Sequence, residues 1–176
     1  MKFKNVAAFL LMITMLAGAL CIGAWKGWRQ EADEALERRA ALDRMLEIRL
    51  ECAHNVLTVA GRHLPESDAG VQALRQIMDV LAGNAPLSEK AAANAGLTRA
   101  AQQLLTDLSG LPSVQQDARD RMYAENYLPQ MLLESGASGA AEHYNQAVEQ
   151  YNQGLQGSFS GMLARLFGTK PLEAFR

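Results

Sequence analysis

The chain has 176 residues, of which 49% are hydrophobic and 20% charged, and its formal net charge is −2. The first thirty residues hold four basic and no acidic side chains, so the remainder has 13 basic against 19 acidic groups, which argues against nucleic acid as a partner. The two cysteines are too few for a disulfide framework, and about 148 residues after the apolar start suffice to bury one core.

An apolar run from Val6 to Trp25 opens the chain and contains no charge, proline or amide. Twenty helical residues at 1.5 Å rise cross about 30 Å, the thickness of the hydrocarbon core of a bilayer. The run ends in the aromatic and basic residues typical of a membrane interface: Trp25, Lys26, Trp28 and Arg29. We therefore predict a transmembrane anchor over residues 1–28 that contacts the lipid bilayer, and one domain over residues 29–176.

A cleaved signal peptide is the alternative, because Lys2 and Lys4 form a basic start and Ala17–Ala19 has the small-x-small form of a cleavage site. The run stays apolar as far as Ala24 instead of turning polar after that site. This favours an uncleaved signal-anchor and a single-pass protein of the plasma membrane.

The side of the membrane stays open. Basic residues near the membrane stand before the run and in larger number after it, at Lys26, Arg29, Arg38 and Arg39. Their count places the domain in the cytoplasm. The signal-like start favours the opposite side, and we lean to an extracytoplasmic domain.

A long amphipathic helix is predicted from Glu31 to Leu64, running on from the anchor until Pro65 stops it. Its apolar residues recur at spacings of three and four, at Leu42, Leu46, Leu50, Ala53, Leu57, Ala60 and Leu64. Anchor and helix together form a rod of roughly 80 to 90 Å.

Further helices follow at short intervals. The periodicity predicts a helix from Asp68 to Leu81, and then a helix capped by Ser88 whose core face is Leu97, Ala101, Leu104 and Leu108. A helical run opened by a capping box at Ser113 passes through Met122, Leu128 and Leu132; Gly136–Gly139 interrupts it, and a last helix covers Ala140–Leu155. We expect an all-α fold in which a single N-terminal transmembrane helix precedes an antiparallel bundle of three to four long helices.

The last helix carries a repeated pair, Tyr144-Asn145 and Tyr151-Asn152, seven residues apart. Tyrosines at heptad spacing, as in coiled coils, commonly pack at helix interfaces, and the asparagines then bond a neighbouring loop. The functional alternative is an interaction face for a partner.

An apolar stripe follows this helix. Its spacings of three, one, three and one predict a short helix with one apolar face, made of Phe159, Met162, Leu163, Leu166 and Phe167. The segment either folds back as a lid on the bundle or touches the bilayer or a partner protein.

The search for chemistry finds little. Glu51 and His54 have the Glu-x-x-His spacing of di-metal helical bundles, but the other two histidines lack a glutamate three residues before them. Cys52 is interpreted as a small core residue. We expect no catalytic residue, no metal and no cofactor, and predict that the chain is not an enzyme.

The Tyr-Asn repeat, followed by Leu166-Phe167-Gly168, resembles the LemA family, whose C-terminal half has a YN-x5-YN helix and an apolar segment ending in L-F-G. Upstream, the segment from Arg49 to Leu57 is similar to the family's first long helix, with Asn55 in register and His54 in place of a proline. Gly110-Leu111-Pro112 resembles its Y-P turn without the tyrosine. The resemblance implies an N-terminally anchored helical-bundle membrane protein with no established catalytic activity.

We therefore expect a non-catalytic scaffold or protein-interaction module at the bacterial cell envelope, with an unknown membrane or envelope protein as partner and homo-oligomerisation left open. The alternative is a helical sensor or ligand-binding domain, which would need a separate signalling partner. A metal-dependent oxidase would need carboxylates from other helices near Glu51 and His54.

Overall fold

The computed structural model describes residues 2–176, with side chains from Val6 onward. Lys2 and Lys4, whose charges entered the orientation argument, lie outside the described side chains. The described chain is 85% helix and has no strand, as the all-α prediction requires. Its elements in chain order are α1 (Lys2–His63), α2 (Ala69–Ala82), α3 (Leu87–Ser109), α4 (Pro112–Gln116), α5 (Ala118–Met122), a π-helical turn (Tyr123–Tyr127), α6 (Leu128–Gly136), α7 (Ala140–Gly157) and α8 (Phe159–Leu166).

Helix α1 is continuous over 62 residues, so the apolar run and the following amphipathic helix are one element, as predicted. At 1.5 Å per residue it is about 93 Å long. Leu64 still donates its N–H to the carbonyl of Ala60 at 2.8 Å, and Pro65 then ends the helix. By length and composition, the apolar part of α1 could cross a membrane, and none of its most apolar window is buried.

The contacts divide the chain into two compact units. The first joins Met1–Arg38 with Gln146–Glu173, and the second joins Arg39–Asn145 with Ala174–Arg176. The predicted division at residue 28 separates a membrane anchor from the rest of the chain and stays a prediction. Trp28 itself is buried in the core of the first unit.

The core of the first unit is built around Trp28. Its buried partners are Tyr151, Leu155 and Ala164, with Ala32 and Leu172 packed at the edge. The rings of Trp28 and Tyr151 meet edge to face, with centroids 5.7 Å apart. Gly154 lies directly under the indole: a Cβ there would lie 2.6 Å from Cη2 of Trp28.

In the second unit, α1 buries a face that is rotated from the predicted one. Leu42, Leu46, Ala53 and Ala60 are buried as predicted, whereas Leu50, Leu57 and Leu64 are only half-buried. The same buried face also contains Met45, Arg49, Cys52, Val56 and Val59, which the search for apolar spacing did not include. The sequence pattern did not predict this part of the face, because two of its positions hold an arginine and a cysteine instead of leucine or alanine.

The N-termini of α2 and α3 are capped differently. Asp68 caps α2 through Oδ1, which accepts from the N–H groups of Gly70 and Val71 at 2.9 and 3.1 Å. Helix α3, which packs on α2, has Pro86 at its N-cap and starts at Leu87. Ser88 therefore lies inside the first turn, and the prediction that it caps α3 is wrong.

The predicted run from Ser113 to Leu132 is a broken helix. Leu111 occupies the N-cap of α4, so the predicted capping by Ser113 is also wrong. Asp117 interrupts the run and caps α5, accepting from the N–H groups of Arg119 and Asp120 at 3.0 Å each. These hydrogen bonds to the ionised carboxylate lower the pKa of Asp117.

The break after α6 is confirmed. Helix α6 ends at Gly136 and α7 begins at Ala140. Between them Gly139 adopts a φ of +66°, a conformation that glycine accepts without strain.

Candidate functional sites

The tyrosines of the Tyr-Asn repeat are core residues. Only 1% of Tyr144 and 4% of Tyr151 is exposed. In the first unit, the phenol of Tyr151 donates to the carbonyl of Lys170 at 3.3 Å. Burial, followed by the nearby carboxylate of Glu31, raises the pKa of Tyr151 and keeps the phenol neutral.

Asn152 binds the main chain of Leu172. Its Nδ2 donates to the carbonyl of Leu172 at 2.9 Å, and its Oδ1 accepts the N–H of the same residue at 2.8 Å. Both polar groups of one peptide residue are therefore satisfied by one side chain. We call this pair of bonds an amide clamp.

Asn145 forms the same clamp in the second unit. Its Nδ2 donates to the carbonyl of Phe175 at 2.8 Å, and its Oδ1 accepts the N–H of Phe175 at 2.7 Å. The ring of Phe175 is buried. The two asparagines thus hold the non-helical segment that follows Gly168. These contacts agree with the first of the two interpretations of the repeat, in which its side chains pack against the chain's own residues.

The interfacial residues separate into two groups. Trp25 and Lys26 are exposed, and the guanidinium of Arg29 lies 5.4 Å from the centroid of the Trp25 ring. Trp28 is buried instead, and its Nε1–H donates to Oγ of Ser160 at 3.3 Å. Its place in a membrane-interface belt is therefore corrected: it is a core residue of the first unit.

Helix α8 exposes its large apolar side chains. The exposed fractions are 70% for Phe159, 45% for Met162, 76% for Leu166 and 57% for Phe167, and Leu163 is half-buried. A lid would bury these side chains. The residues that α8 does bury are its small ones, Gly161 and Ala164.

A polar cluster at the end of α1 has no signature in the sequence. The ring of His63 bonds Oδ2 of Asp120 through Nε2 at 2.9 Å and Oγ of Ser113 through Nδ1 at 3.1 Å. Arg62 donates to the other carboxylate oxygen of Asp120 at 2.5 Å. These partners lie fifty or more positions apart, so no local spacing in the sequence predicts the cluster.

Ser113, His63 and Asp120 are linked by hydrogen bonds in the order of a catalytic triad, in which serine is the nucleophile. Here the carboxylate of Asp120 is buried, and the guanidinium of Arg62 already balances its charge. The cluster ties the end of α1 to α4 and α5, which is a structural role. Ser113, which lies inside the first turn of α4 and not at its N-cap, uses its hydroxyl in this cluster.

Arg49 is a buried cation. Its Nη2 donates to the carbonyl of Asn94 at 3.2 Å and to Oγ1 of Thr98 at 2.6 Å, while its Nε has no partner in the described part of the chain. Burial lowers the pKa of Arg49 and raises that of its neighbour Cys52, which favours the uncharged thiol. Cys52 is thus a buried core residue, as interpreted from the sequence.

Glu51 and His54 are both exposed, and the described residues contain no group of three or more side chains placed to hold a metal ion. Glu51 instead lines a half-polar groove of about 350 Å³ in the second unit. The groove continues along Asn55, Thr58, Val59, Arg62, Arg119, Tyr123, Tyr127, Leu128 and Met131. Arg119 stacks on Tyr123 at 5.8 Å, and Tyr123 meets Tyr127 edge to face within the π-helical turn.

Comparison with known proteins finds no match to this chain among protein-family models, curated sequences or solved structures.

Proposed function

We propose that the chain is a single-pass, LemA-like membrane protein whose antiparallel helical bundle is a non-catalytic scaffold or interaction module of the bacterial cell envelope. The observation that carries this proposal is the exposure of the apolar part of α1. Its large side chains are open along the whole run: Val6, Phe9, Leu10, Leu11, Met12, Ile13, Met15, Leu16, Leu20 and Ile22. An apolar surface of this extent needs a cover, and a bilayer fits its length.

The family proposal is supported by where the resembling residues fall. The Tyr-Asn repeat lies on α7, and Leu166-Phe167-Gly168 closes α8. The amide clamps give the repeat a physical purpose, since Asn145 and Asn152 fix the segment that follows. A non-catalytic role agrees with the buried state of Cys52 and with the charge pairing of Asp120.

The anchor and its orientation are tested together in native membranes. We expect the protein to stay in the membrane fraction after alkaline carbonate extraction. Cysteines introduced by Glu37→Cys and Gln103→Cys should react with an impermeant maleimide from the periplasmic side in intact cells. Release by carbonate would overturn the anchor, and labelling only after lysis would place the domain in the cytoplasm.

The scaffold role is tested by photo-crosslinking from an exposed position. Because the clamps occupy Asn145 and Asn152, the crosslinking residue is placed at Met122 or Tyr127, whose side chains are half exposed. Gln103, exposed on α3, is the matched control. A defined envelope protein captured only from the first two positions supports the scaffold, self-adducts indicate a homo-oligomer, and identical patterns at all three positions contradict a specific face.

The groove beside the π-helical turn favours a second candidate, a ligand-binding sensor domain. Arg119 supplies positive charge there, beside the Arg62 that is paired with Asp120, and two tyrosines supply apolar rings. Short π-helical segments occur often at functional sites. A thermal-shift screen of carboxylates and aromatic acids tests this role, and a ligand whose stabilising effect disappears in Arg119→Gln would favour the sensor over the scaffold.

A further inference from the structure

We propose that α8 is a second membrane contact, which lies in the interfacial layer of the same bilayer that the apolar part of α1 crosses. The inference rests on the proposed anchor and adds a lipid-binding surface to it. The surface, which we call the α8 face, consists of Phe159, Met162, Leu163 and Leu166, continued by Phe167.

The α8 face has the polarity of a lipid-facing surface. At about 100° per residue its four helical members fall within an arc of roughly 100°, with Ser160 and Arg165 on the flanks. The opposite side of α8 is buried and carries the smallest residues, Gly161 and Ala164. A helix that packs on a core in water buries its large apolar residues, whereas α8 exposes them and buries only glycine and alanine.

The position of α8 in the first unit agrees with a contact between α8 and the membrane interface. Phe167 lines a small apolar pocket of about 220 Å³ together with Cys21, Ile22 and Trp25, the last turn of the apolar run. Ser160, near the other end of α8, accepts the indole N–H of Trp28 at 3.3 Å. Helix α8 therefore lies beside the segment of α1 where the hydrocarbon core ends and the head groups begin.

The bilayer fits this surface better than a second protein does. The α8 face continues the apolar surface of α1, where Leu20 and Ile22 are exposed near the same pocket. Arg165, on the flank of the face, and Lys170, shortly after it, supply positive charge at head-group height. A cover that extends over both helices and meets basic residues at its edge has the properties of an anionic membrane surface.

The test uses the full chain in vesicles of phosphatidylcholine and phosphatidylglycerol. In a background of Cys21→Ala and Cys52→Ala, a nitroxide spin label is attached at one of three single cysteines: Phe9→Cys, Leu166→Cys or Glu37→Cys. Position 9 lies within the apolar run, and position 37 is exposed twelve residues beyond Trp25, about 18 Å along α1. The accessibility of each label to oxygen and to a water-soluble nickel complex is measured by electron paramagnetic resonance.

We expect the ratio of oxygen to nickel accessibility at position 166 to exceed that at position 37 severalfold and to remain below that at position 9. A water-like ratio at 166 beside a bilayer-like ratio at 9 would overturn this inference and leave the anchor intact. Water-like ratios at both positions would overturn both. A label at 166 shielded from both reagents would mean that protein covers the face, which also overturns it.

A second measurement guards against a label that disturbs α8. The double variant Phe159→Ser and Leu166→Ser should keep its far-ultraviolet circular dichroism, because both side chains are exposed. A spin label at position 163 in this variant should lose bilayer character relative to the same label in the parent chain. An unchanged ratio would overturn the proposal.

Discussion

Asn152 and the main chain of Leu172 satisfy each other completely: the amide Nδ2 donates to the carbonyl at 2.9 Å, and Oδ1 accepts the N–H at 2.8 Å. A single side chain thereby fixes one residue of a segment that has no secondary structure of its own. Neither hydrogen bond depends on the side chain at position 172. The clamp therefore needs an amide at position 152 and, at position 172, only a main-chain N–H, which every residue except proline has.

Asn152→Asp should break the clamp while preserving its shape. The carboxylate still accepts the N–H of Leu172, but its second oxygen faces the carbonyl without a proton between them. We expect a loss of about 1–3 kcal/mol in the free energy of unfolding, measured by denaturant titration in detergent micelles. Asn84→Asp, in the exposed turn between α2 and α3, is the matched control, and equal losses in both variants would argue against the clamp.

Gly154→Ala should strain the core of the first unit. The added Cβ would lie 2.6 Å from Cη2 and 3.3 Å from Cζ3 of Trp28, so the indole must move. We expect a loss of about 1–3 kcal/mol, together with a changed near-ultraviolet tryptophan signal. Gly157→Ala, where the Cβ meets nothing within 4 Å, should be neutral or slightly stabilising. If both variants unfold at the same denaturant concentration, the close contact with Trp28 is refuted.

Arg49→Met should leave the protein as stable as before or stabilise it by about 1 kcal/mol, because it removes a desolvated charge and keeps most of the volume. Thr98, which loses its donor, is able to bond within its own helix. Arg44→Met is the control, since Arg44 is exposed on the same helix and should change stability by less than about 0.5 kcal/mol. A loss of several kcal/mol at position 49 alone would contradict this prediction and show that the hydrogen bonds to Asn94 and Thr98 outweigh the cost of burying the charge.

Tyr151 should make the protein sensitive to alkali. Its pKa is raised in the folded state by burial and by Glu31, so above the unfolded value of about 10 the unfolded chain releases this proton first. The contribution to stability is complete below that pH and falls as the pH rises through the folded pKa. Unfolding midpoints from about pH 8 to 11 should decline less steeply in Tyr151→Phe than in the parent chain. Tyr127→Phe, at an exposed phenol, should follow the parent, and an unchanged slope in Tyr151→Phe would contradict the assignment.

The helices and most of their limits follow from periodicity and from local stop signals. Pro65, Asp68 and Gly139 act within a turn of their own positions, so their effects are visible in the sequence. Ser88 and Ser113 fit the capping pattern and do not cap, because each helix begins earlier at a proline: Pro86 is the N-cap of α3, and Pro112 is the first residue of α4. The capping rule failed where a proline earlier in the sequence had already started the helix.

The candidate site residues likewise divide into those that local spacing predicts and those that depend on distant contacts. The heptad spacing of Tyr144 and Tyr151 identified residues that share a face, but no spacing says whether that face meets a partner or the chain itself. The clamps at Leu172 and Phe175 show that the asparagines bond the chain itself, and they join residues twenty and thirty positions apart. Trp28 was assigned to the interface on residue type, and its contact with Tyr151 more than a hundred positions later could not be foreseen.

Gly161 sets a limit on how this protein can vary. A Cβ at this position would overlap the main-chain carbonyl of Leu155 and come within 2.7 Å of its carbon and 2.8 Å of its Cα. Main-chain atoms cannot rotate away, so no other side chain can be accommodated by repacking. In a saturation library, Gly161 should be among the least replaceable positions of the C-terminal third, although it lies between exposed neighbours whose own substitutions are tolerated by the fold.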